Sequence, residues 1–182
     1  MTGREPCEAV AVTESDWEQR VADAWASIDE HGETEFQALI EKLAGELPAD
    51  SAIAAFERAC SFDSTGHSDL AVPLYRTALE TGLHGEPTGE RRRRAVIQLS
   101  SSLRNLGRPQ ESVELLEAEL RAGSDHLDDA VRATLALALT DVGREREAVS
   151  LAVGALAKHL PRYQRSMANY ARLLVDPDPE DS

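Results

Sequence analysis

The residues best suited to chemistry in this 182-residue chain are two cysteines and five histidines. A cysteine nucleophile needs a histidine base close enough to take its proton. Cys60 has only His67 near it in sequence, seven residues further on and beyond a predicted turn. A cysteine in the middle of a helix more often serves as a small packing residue. The sequence therefore predicts no catalytic residue.

The histidines also lack the spacing of a metal site. They stand beside predicted turns or at a helix end, at His31, His67, His84, His126 and His159. No two of them follow the i, i+4 spacing by which a helix holds zinc, and no Cys-x-x-Cys occurs. The chain has no phosphate-binding loop, no dinucleotide fingerprint and no Gly-x-Ser-x-Gly motif. We therefore expect no metal, no cofactor and no enzymatic activity.

The sharpest local feature is a run of four arginines, Arg91 to Arg94. Four cations early in a helix oppose the helix dipole. Two interpretations stay open: a solvated helix start, eased by the nearby Glu86 and Glu90, or contact with an anionic partner or a neighbouring subunit. Successive residues are about 100° apart around a helix, so the four side chains cannot all face one ligand.

The remaining charge is strongly acidic. The formal net charge is −14, and residues 1–90 hold 19 acidic against 5 basic side chains. Such a chain repels phosphate backbones, which argues against nucleic acid as a partner. No stretch approaches the roughly 18 apolar residues that span a membrane, and the first residues lack the pattern of a signal peptide. We therefore expect no membrane association and a cytoplasmic location.

The elements that must position these residues are helices almost throughout. Apolar residues recur at i, i+3/i+4 and i+7 over 16–30 and over 33–47, which is the spacing of amphipathic helices. Because strands would show period-2 alternation and none occurs, the predicted fold class is all-α. Glycine and proline breaks delimit the further predicted helices, over 51–65, 69–81, 90–106, 109–122, 128–142, 145–159 and 163–175.

A pattern within these helices occurs three times. Each copy is centred on a glycine, at Gly66, Gly107 or Gly143, and a degenerate fourth copy surrounds Gly32, with Trp25 at the small position. Small residues precede the three glycines by seven positions and large residues by four: Ala59, Ser100 and Ala136, then Phe62, Leu103 and Leu139. Small residues let two antiparallel helices cross closely, and glycine lets the chain reverse between them. Since each pair leaves an apolar face uncovered, the pairs must stack into a solenoid.

On these residues the chain resembles the tetratricopeptide repeat (TPR) superfamily. Through stretches at 64–66, 71–76, 98–107 and 159–163 it is also similar to a group of small bacterial proteins within that superfamily. The resemblance implies an α-solenoid of antiparallel helix pairs, with about nine helices and a C-terminal capping helix. It also implies a cytoplasmic protein-binding role with no assigned reaction.

The repeat pattern predicts one domain over residues 15–175. Residues 1–14 and the acidic tail 176–182 are expected to be disordered, because they carry few core residues and contain helix-breaking prolines. The expected parts of the domain are a degenerate pair at 16–47, repeats at 51–81, 90–122 and 128–159, and a cap at 163–175.

Two packing faces are expected within this domain, one in the helix over 90–106 and one in the cap. The first consists of Val96, Leu99, Leu103 and Leu106. The second packs the cap onto the preceding helix and consists of Tyr163, Met167, Tyr170, Ala171 and Leu174.

The leading functional hypothesis is a scaffold that binds a peptide or a partner protein in the concave groove lined by the first helix of each pair. We expect Arg94 and Arg104 to pair with acidic groups of the partner, and Gln98 and Asn105 to hydrogen-bond an extended backbone. The alternatives are a solvated groove without a ligand and a structural protein that associates with itself as a homodimer. The candidate binding residues are Arg91, Arg94, Gln98, Ser101, Arg104, Asn105 and Thr134. Five further residues are expected to face the groove: Glu57, Cys60, Asp63, Leu137 and Asp141.

Overall fold

A computed structural model describes residues 14–83 and 89–177 of the chain. Within these ranges it contains nine α-helices, one short 3₁₀ helix and no β-strand, which confirms the predicted all-α solenoid. The 3₁₀ helix, Ile28–Glu30, lies between the first two helices. The helices are α1 (Glu14–Ala26), α2 (Glu33–Ala44), α3 (Ala52–Ser64), α4 (Ser68–Thr81), α5 (Glu90–Asn105), α6 (Pro109–Ala122), α7 (Asp128–Asp141), α8 (Glu145–Ala157) and α9 (Gln164–Leu173).

Three reversals of the chain separate the helices of each repeat. Gly66, Gly107 and Gly143 follow α3, α5 and α7, with φ angles of 87°, 73° and 77°. Residues with a Cβ atom rarely adopt this left-handed conformation, so glycine is the residue suited to these turns. Each helix packs against the next along the chain, from α1 through to α9.

Some helix ends differ from the expectations, and three segments lie outside the described residues. Residues 1–13, 84–88 and 178–182 lie outside the described residues, and most of both segments with predicted disorder falls there. α1 begins at Glu14, one residue before the expected start of the domain. The single helix predicted over 16–30 is wrong, because α1 ends at Ala26 and the 3₁₀ helix follows. At this break the Ser27 hydroxyl donates to the carbonyl of Ala24 (3.0 Å), a local bond that competes with helix continuation.

The core follows the positions of the repeat. Ala59, Ser100 and Leu103 are fully buried, and Leu139 is nearly so. In the degenerate pair, Trp25 occupies the small position and meets the Phe36 ring edge-on, with 5.0 Å between ring centroids.

The packing face predicted for α5 is correct except at its last residue. Val96, Leu99 and Leu103 are buried, whereas Leu106 is 40% exposed. The prediction for Leu106 is wrong because α5 ends at Asn105 and Leu106 lies in the turn beyond it. The helical spacing that places the other three side chains on one face therefore no longer applies.

The cap, α9, packs on α8 as expected, but through only part of its predicted face. Ala171 is buried, and Arg146 of α8 donates to the Leu174 carbonyl at 3.2 Å. The prediction for Tyr163 and Tyr170 is wrong, since both rings are exposed. Tyr163 precedes the helix in a left-handed conformation, and Tyr170 lies about 100° around the helix from Ala171.

Candidate functional site

The arginine run at the start of α5 divides among different sides of the helix. Arg91 forms an ion pair with Glu18 of α1 and lies 3.7 Å from the carboxylate of Glu57 on α3. Because α1 and α3 belong to the two preceding pairs, this one side chain joins three pairs of the solenoid. Arg91 is therefore part of the contacts that hold successive pairs together.

Arg92 and Arg93 point towards the following elements. Arg92 donates two hydrogen bonds to Glu119 of α6, at 2.9 and 2.8 Å. Arg93 is only 4% exposed, donates to Asp128 at 2.6 Å and lies 2.9 Å from Asp125. A buried charge persists only where it is paired and hydrogen-bonded. Arg93 is therefore a structural cation. Neither interpretation of the arginine run, a solvated helix start or contact with a partner, applies to this residue.

The carboxylate of Asp128 is well suited to hold this cation at the start of α7. The Ser124 hydroxyl, the backbone N–H of Asp125 and Arg93 all donate to it, and together they lower the pKa of Asp128 to about 2. Hydrogen bonds to the ionised form favour that form. Asp128 therefore stays negatively charged wherever the protein is folded near neutral pH.

Arg94 differs from the three arginines before it. Its side chain is exposed, and its guanidinium carbon lies 5.3 Å from the centroid of the Phe56 ring on α3. Such a cation over an aromatic face is attracted by the ring quadrupole. Arg94 forms no ion pair with any residue that the structure describes. It is a charged group held in a defined place with its hydrogen-bonding edge available.

The other candidate residues of α5 continue the row that Arg91 and Arg94 begin. Gln98 accepts a hydrogen bond from the Cys60 thiol (3.4 Å), and Asn105 donates to the Ser68 hydroxyl (3.4 Å). The distance between Asn105 and Ser68 is long for an N–H···O hydrogen bond, whereas 3.4 Å is an ordinary distance for a thiol donor because sulfur is a larger atom.

Arg104, Ser101 and Thr134 complete the candidate set. Arg104 forms an ion pair with Asp141 of α7, and Ser101 is half-buried on α5. The Thr134 hydroxyl donates to the carbonyl of Ala130 in its own helix (2.9 Å). The structure thus brings the α5 residues together along one side of the helix, but Arg104 already has a carboxylate.

Two residues of α3 that were expected to face the groove are instead buried, Glu57 and Cys60. Burial raises the pKa of Glu57, although Trp25 donates a hydrogen bond to its carboxylate at 2.8 Å. Burial also raises the pKa of the Cys60 thiol to about 12. Because the thiolate is the reactive form, a thiol with this pKa is a packing group.

The sequence did not predict a polar network between α3, α4 and α5. Asp63 accepts a hydrogen bond from the Ser102 hydroxyl (2.6 Å) and lies 3.4 Å from the Tyr75 hydroxyl. These side chains come from α3, α5 and α4, and no short spacing in the sequence connects them. The network joins the second helix pair, α3 and α4, to the first helix of the third pair, α5.

Neither a metal site nor a membrane span emerges from the described parts of the chain. Over residues 14–83 and 89–177 no three His, Cys, Asp or Glu side chains form a group that could hold a metal ion. Each of the four described histidines lies near a single carboxylate: His31 near Glu35 (3.5 Å), His67 near Glu33, His126 near Glu90 (3.9 Å) and His159 near Asp129 (2.8 Å). His84 lies outside the described residues. None of the described helices is both long and apolar enough to cross a membrane.

Comparison with known protein families matches residues 52–174 to the family described as Tetratrico peptide repeat. The match covers more than half of the chain, so this protein belongs to the tetratricopeptide repeat family. Repeat domains of this family are generally non-catalytic and suggest a role as a scaffold for interactions between proteins. A search among curated proteins finds no match.

Proposed function

We propose that this protein is a non-catalytic, cytoplasmic scaffold that binds an acidic segment of a partner protein in the groove lined by α3, α5 and α7. The observation that carries the proposal is Arg94, an exposed cation set over the Phe56 ring that forms no ion pair with any of the described residues. The proposed binding unit is a single domain over residues 15–175, with α5 at its centre.

Arg94 is the residue best placed to bind the partner's carboxylate. A guanidinium donates two parallel hydrogen bonds to a carboxylate, and its planar shape fixes the geometry of the pair. The Phe56 ring already restricts the Arg94 side chain, so less conformational entropy is lost on binding. Asn105 can exchange its long internal hydrogen bond for one to the backbone of an extended peptide, and Gln98, whose amide oxygen accepts from Cys60, can donate its amide N–H to that backbone.

Arg91 and Arg104 contribute less to this proposed site than Arg94. Their guanidinium groups already face Glu18 and Asp141 within the chain. When a carboxylate of the partner binds either arginine, the gain in binding free energy is only the difference between the new ion pair and the internal ion pair that it displaces. This separates Arg94 from Arg104, which the sequence alone gives equal roles.

The test needs a partner isolated from the source cytosol by affinity capture and identified by mass spectrometry. In titration calorimetry, Arg94→Ala should weaken binding at least tenfold and flatten its dependence on salt. Arg104→Ala should weaken binding less. The matched control is Arg121→Ala, which removes the same charge from a side chain that is 70% exposed on α6. Full affinity in Arg94→Ala, with helical circular dichroism intact, would contradict the proposal.

A second candidate function, self-association through the last pair, rests on one specific observation. Val72, Val113 and Val149 each follow the glycine of their repeat by six residues, and their side chains are 6%, 7% and 48% exposed. A further helix pair covers the first two, whereas only α9 follows α8 up to residue 177. Light scattering should then show dimers or larger species that dissociate in Val149→Ser/Leu156→Ser. A monomer at every concentration would exclude this candidate.

A further inference from the structure

The packing of α9 on α8 leaves a row of large side chains uncovered. Tyr163 is 75% exposed and Tyr170 62% exposed. They border a cavity of about 590 Å³, here called the tyrosine cavity, which is lined by Leu160, Pro161, Arg162, Tyr163, Met167 and Tyr170. Tyrosines dominate binding energy at many interfaces, because a rigid ring offers much contact area. Two exposed tyrosines around an apolar concavity therefore indicate an interaction surface.

The backbone of Tyr163 supports this interpretation independently. Tyr163 has φ 67° and ψ 15°, and among the described residues no other residue except glycine has a positive φ. In this conformation the Cβ atom crowds the neighbouring carbonyl, so glycine or asparagine would fit more easily. The exposed ring gains no core packing in return. A strained residue with an exposed side chain points to a function at that position.

The charges around the tyrosine cavity indicate the chemistry of its partner. Lys158 and Arg172 already pair with Asp129 and Asp176. Arg162 lines the cavity, is exposed, and forms no ion pair with any residue in 14–83 or 89–177. The rim of the cavity therefore carries one cation that the described residues do not neutralise.

We propose that the tyrosine cavity binds an acidic segment of a partner protein. One large apolar side chain of that segment inserts between Tyr163 and Tyr170, and a carboxylate next to it in the segment pairs with Arg162. A membrane surface fits the site less well, because the cavity is concave and suits a single inserted side chain better than a layer of headgroups. This site is separate from the groove at Arg94 and does not depend on it.

Two short fluorescein-labelled peptides test the proposal on the full chain by fluorescence anisotropy. They share the same leucine and phenylalanine positions, and one carries glutamates where the other carries lysines. The glutamate peptide should bind at least tenfold more tightly than the lysine peptide. Arg162→Ala should weaken its binding at least tenfold. The control Arg121→Ala removes the same charge from an exposed site on α6 and should leave binding unchanged.

Tyr163→Asn separates a role in binding from a role in folding. Asparagine adopts the left-handed conformation more easily than tyrosine, so the melting temperature should stay the same or rise while affinity for the glutamate peptide falls at least tenfold. Equal binding of the two peptides, or undiminished binding by Tyr163→Asn, would overturn the proposal. Binding that is lost in Arg94→Ala but kept in Tyr163→Asn would also overturn it, and would support the groove of α5 alone.

Two further experiments test whether the tyrosine cavity has a different occupant. Sedimentation velocity would show a second copy as the occupant if the wild-type chain forms dimers that Tyr163→Asn dissociates. Vesicles of phosphatidylserine that displace the glutamate peptide from the wild-type chain would show a membrane surface as the occupant. Either result would overturn the proposal of an acidic protein segment.

Discussion

The start of α5 and the start of α9 both carry arginines near an aromatic ring, but only α5 lies between two other helix pairs. There Arg91 and Arg93 reach carboxylates on the pairs before and after, Glu18 and Asp128. Arg162, beside α9, has no such carboxylate within the described residues. In a stacked array of helix pairs, the neighbours of an arginine therefore decide, together with its type, whether it holds the pairs together or can bind a partner.

Apolar residues show the same contrast between the two regions. α5 buries Val96, Leu99 and Leu103, whereas the buried residues of α8 and α9 are all alanines. Each helix pair contributes an apolar face that only the next pair covers. The middle of the solenoid should therefore be rigid and tolerate little change, and its C-terminal end should be less stable and more accessible.

The largest expected effect comes from one leucine in each region. Leu103→Ala should lower the free energy of unfolding by about 2–5 kcal/mol, because it leaves a cavity among buried side chains. Leu156→Ala should change it by no more than about 0.5 kcal/mol, since Leu156 is largely exposed on α8. Urea denaturation followed by circular dichroism measures both. Similar losses in the two variants would remove the contrast between the middle and the end.

The arginines offer the next comparison. Arg93→Ala should cost about 3 kcal/mol of stability, because it leaves carboxylates near Arg93 without their buried partner. Arg162→Ala should stay within about 0.5 kcal/mol of the wild-type value. The same denaturation experiment applies. A small effect of Arg93→Ala would mean that the ion pairs at the start of α5 are solvated in solution.

The carboxylates of Asp128 and Glu57 should change the free energy of unfolding with pH by smaller amounts and in opposite directions. The pKa of Asp128 is lowered from 3.8 to about 2, chiefly by the Ser124 hydroxyl, so its stabilisation is present above pH 3.8 and is lost as the pH falls towards 2. Burial raises the pKa of Glu57 above 4.5, so its ionisation costs stability as the pH rises from 4.5.

The two corresponding variants should therefore diverge in opposite directions. Asp128→Asn should be most destabilised near neutral pH and approach the wild-type chain in acid. Glu57→Gln should gain stability relative to the wild-type chain as the pH rises above 4.5. Denaturation across this pH range measures both differences. A pH-independent difference in either variant would show that the carboxylate concerned has an ordinary pKa.

Much of the fold could be predicted from the sequence, because the repeat depends on local spacing. Ala59 and Leu103 occupy repeat positions, and both are buried as that alignment implies. The ion pair between Glu18 and Arg91 could not be predicted. These residues are 73 positions apart, and they meet only because successive pairs stack at a particular angle.

The candidate site was predictable in outline and not in detail. Helical spacing places Arg94 and Arg104 on the same side of α5. It cannot show that Arg104 already forms an ion pair with Asp141, whereas Arg94 lies over an aromatic ring. The exposure of Tyr163 was missed for a different reason, since periodicity assumes helical backbone angles and Tyr163 has a positive φ.

Native-state hydrogen exchange, read by mass spectrometry on the unmodified chain, tests the central contrast most directly. Amides open locally with free energies that follow how well each element is packed. We expect the slowest exchange in α3 and α5, at rates near those of global unfolding, and markedly faster exchange in α9. Protection in α9 equal to that in α5 would show instead that the C-terminal end is as tightly held as the middle, and that the contrast between the two regions does not exist.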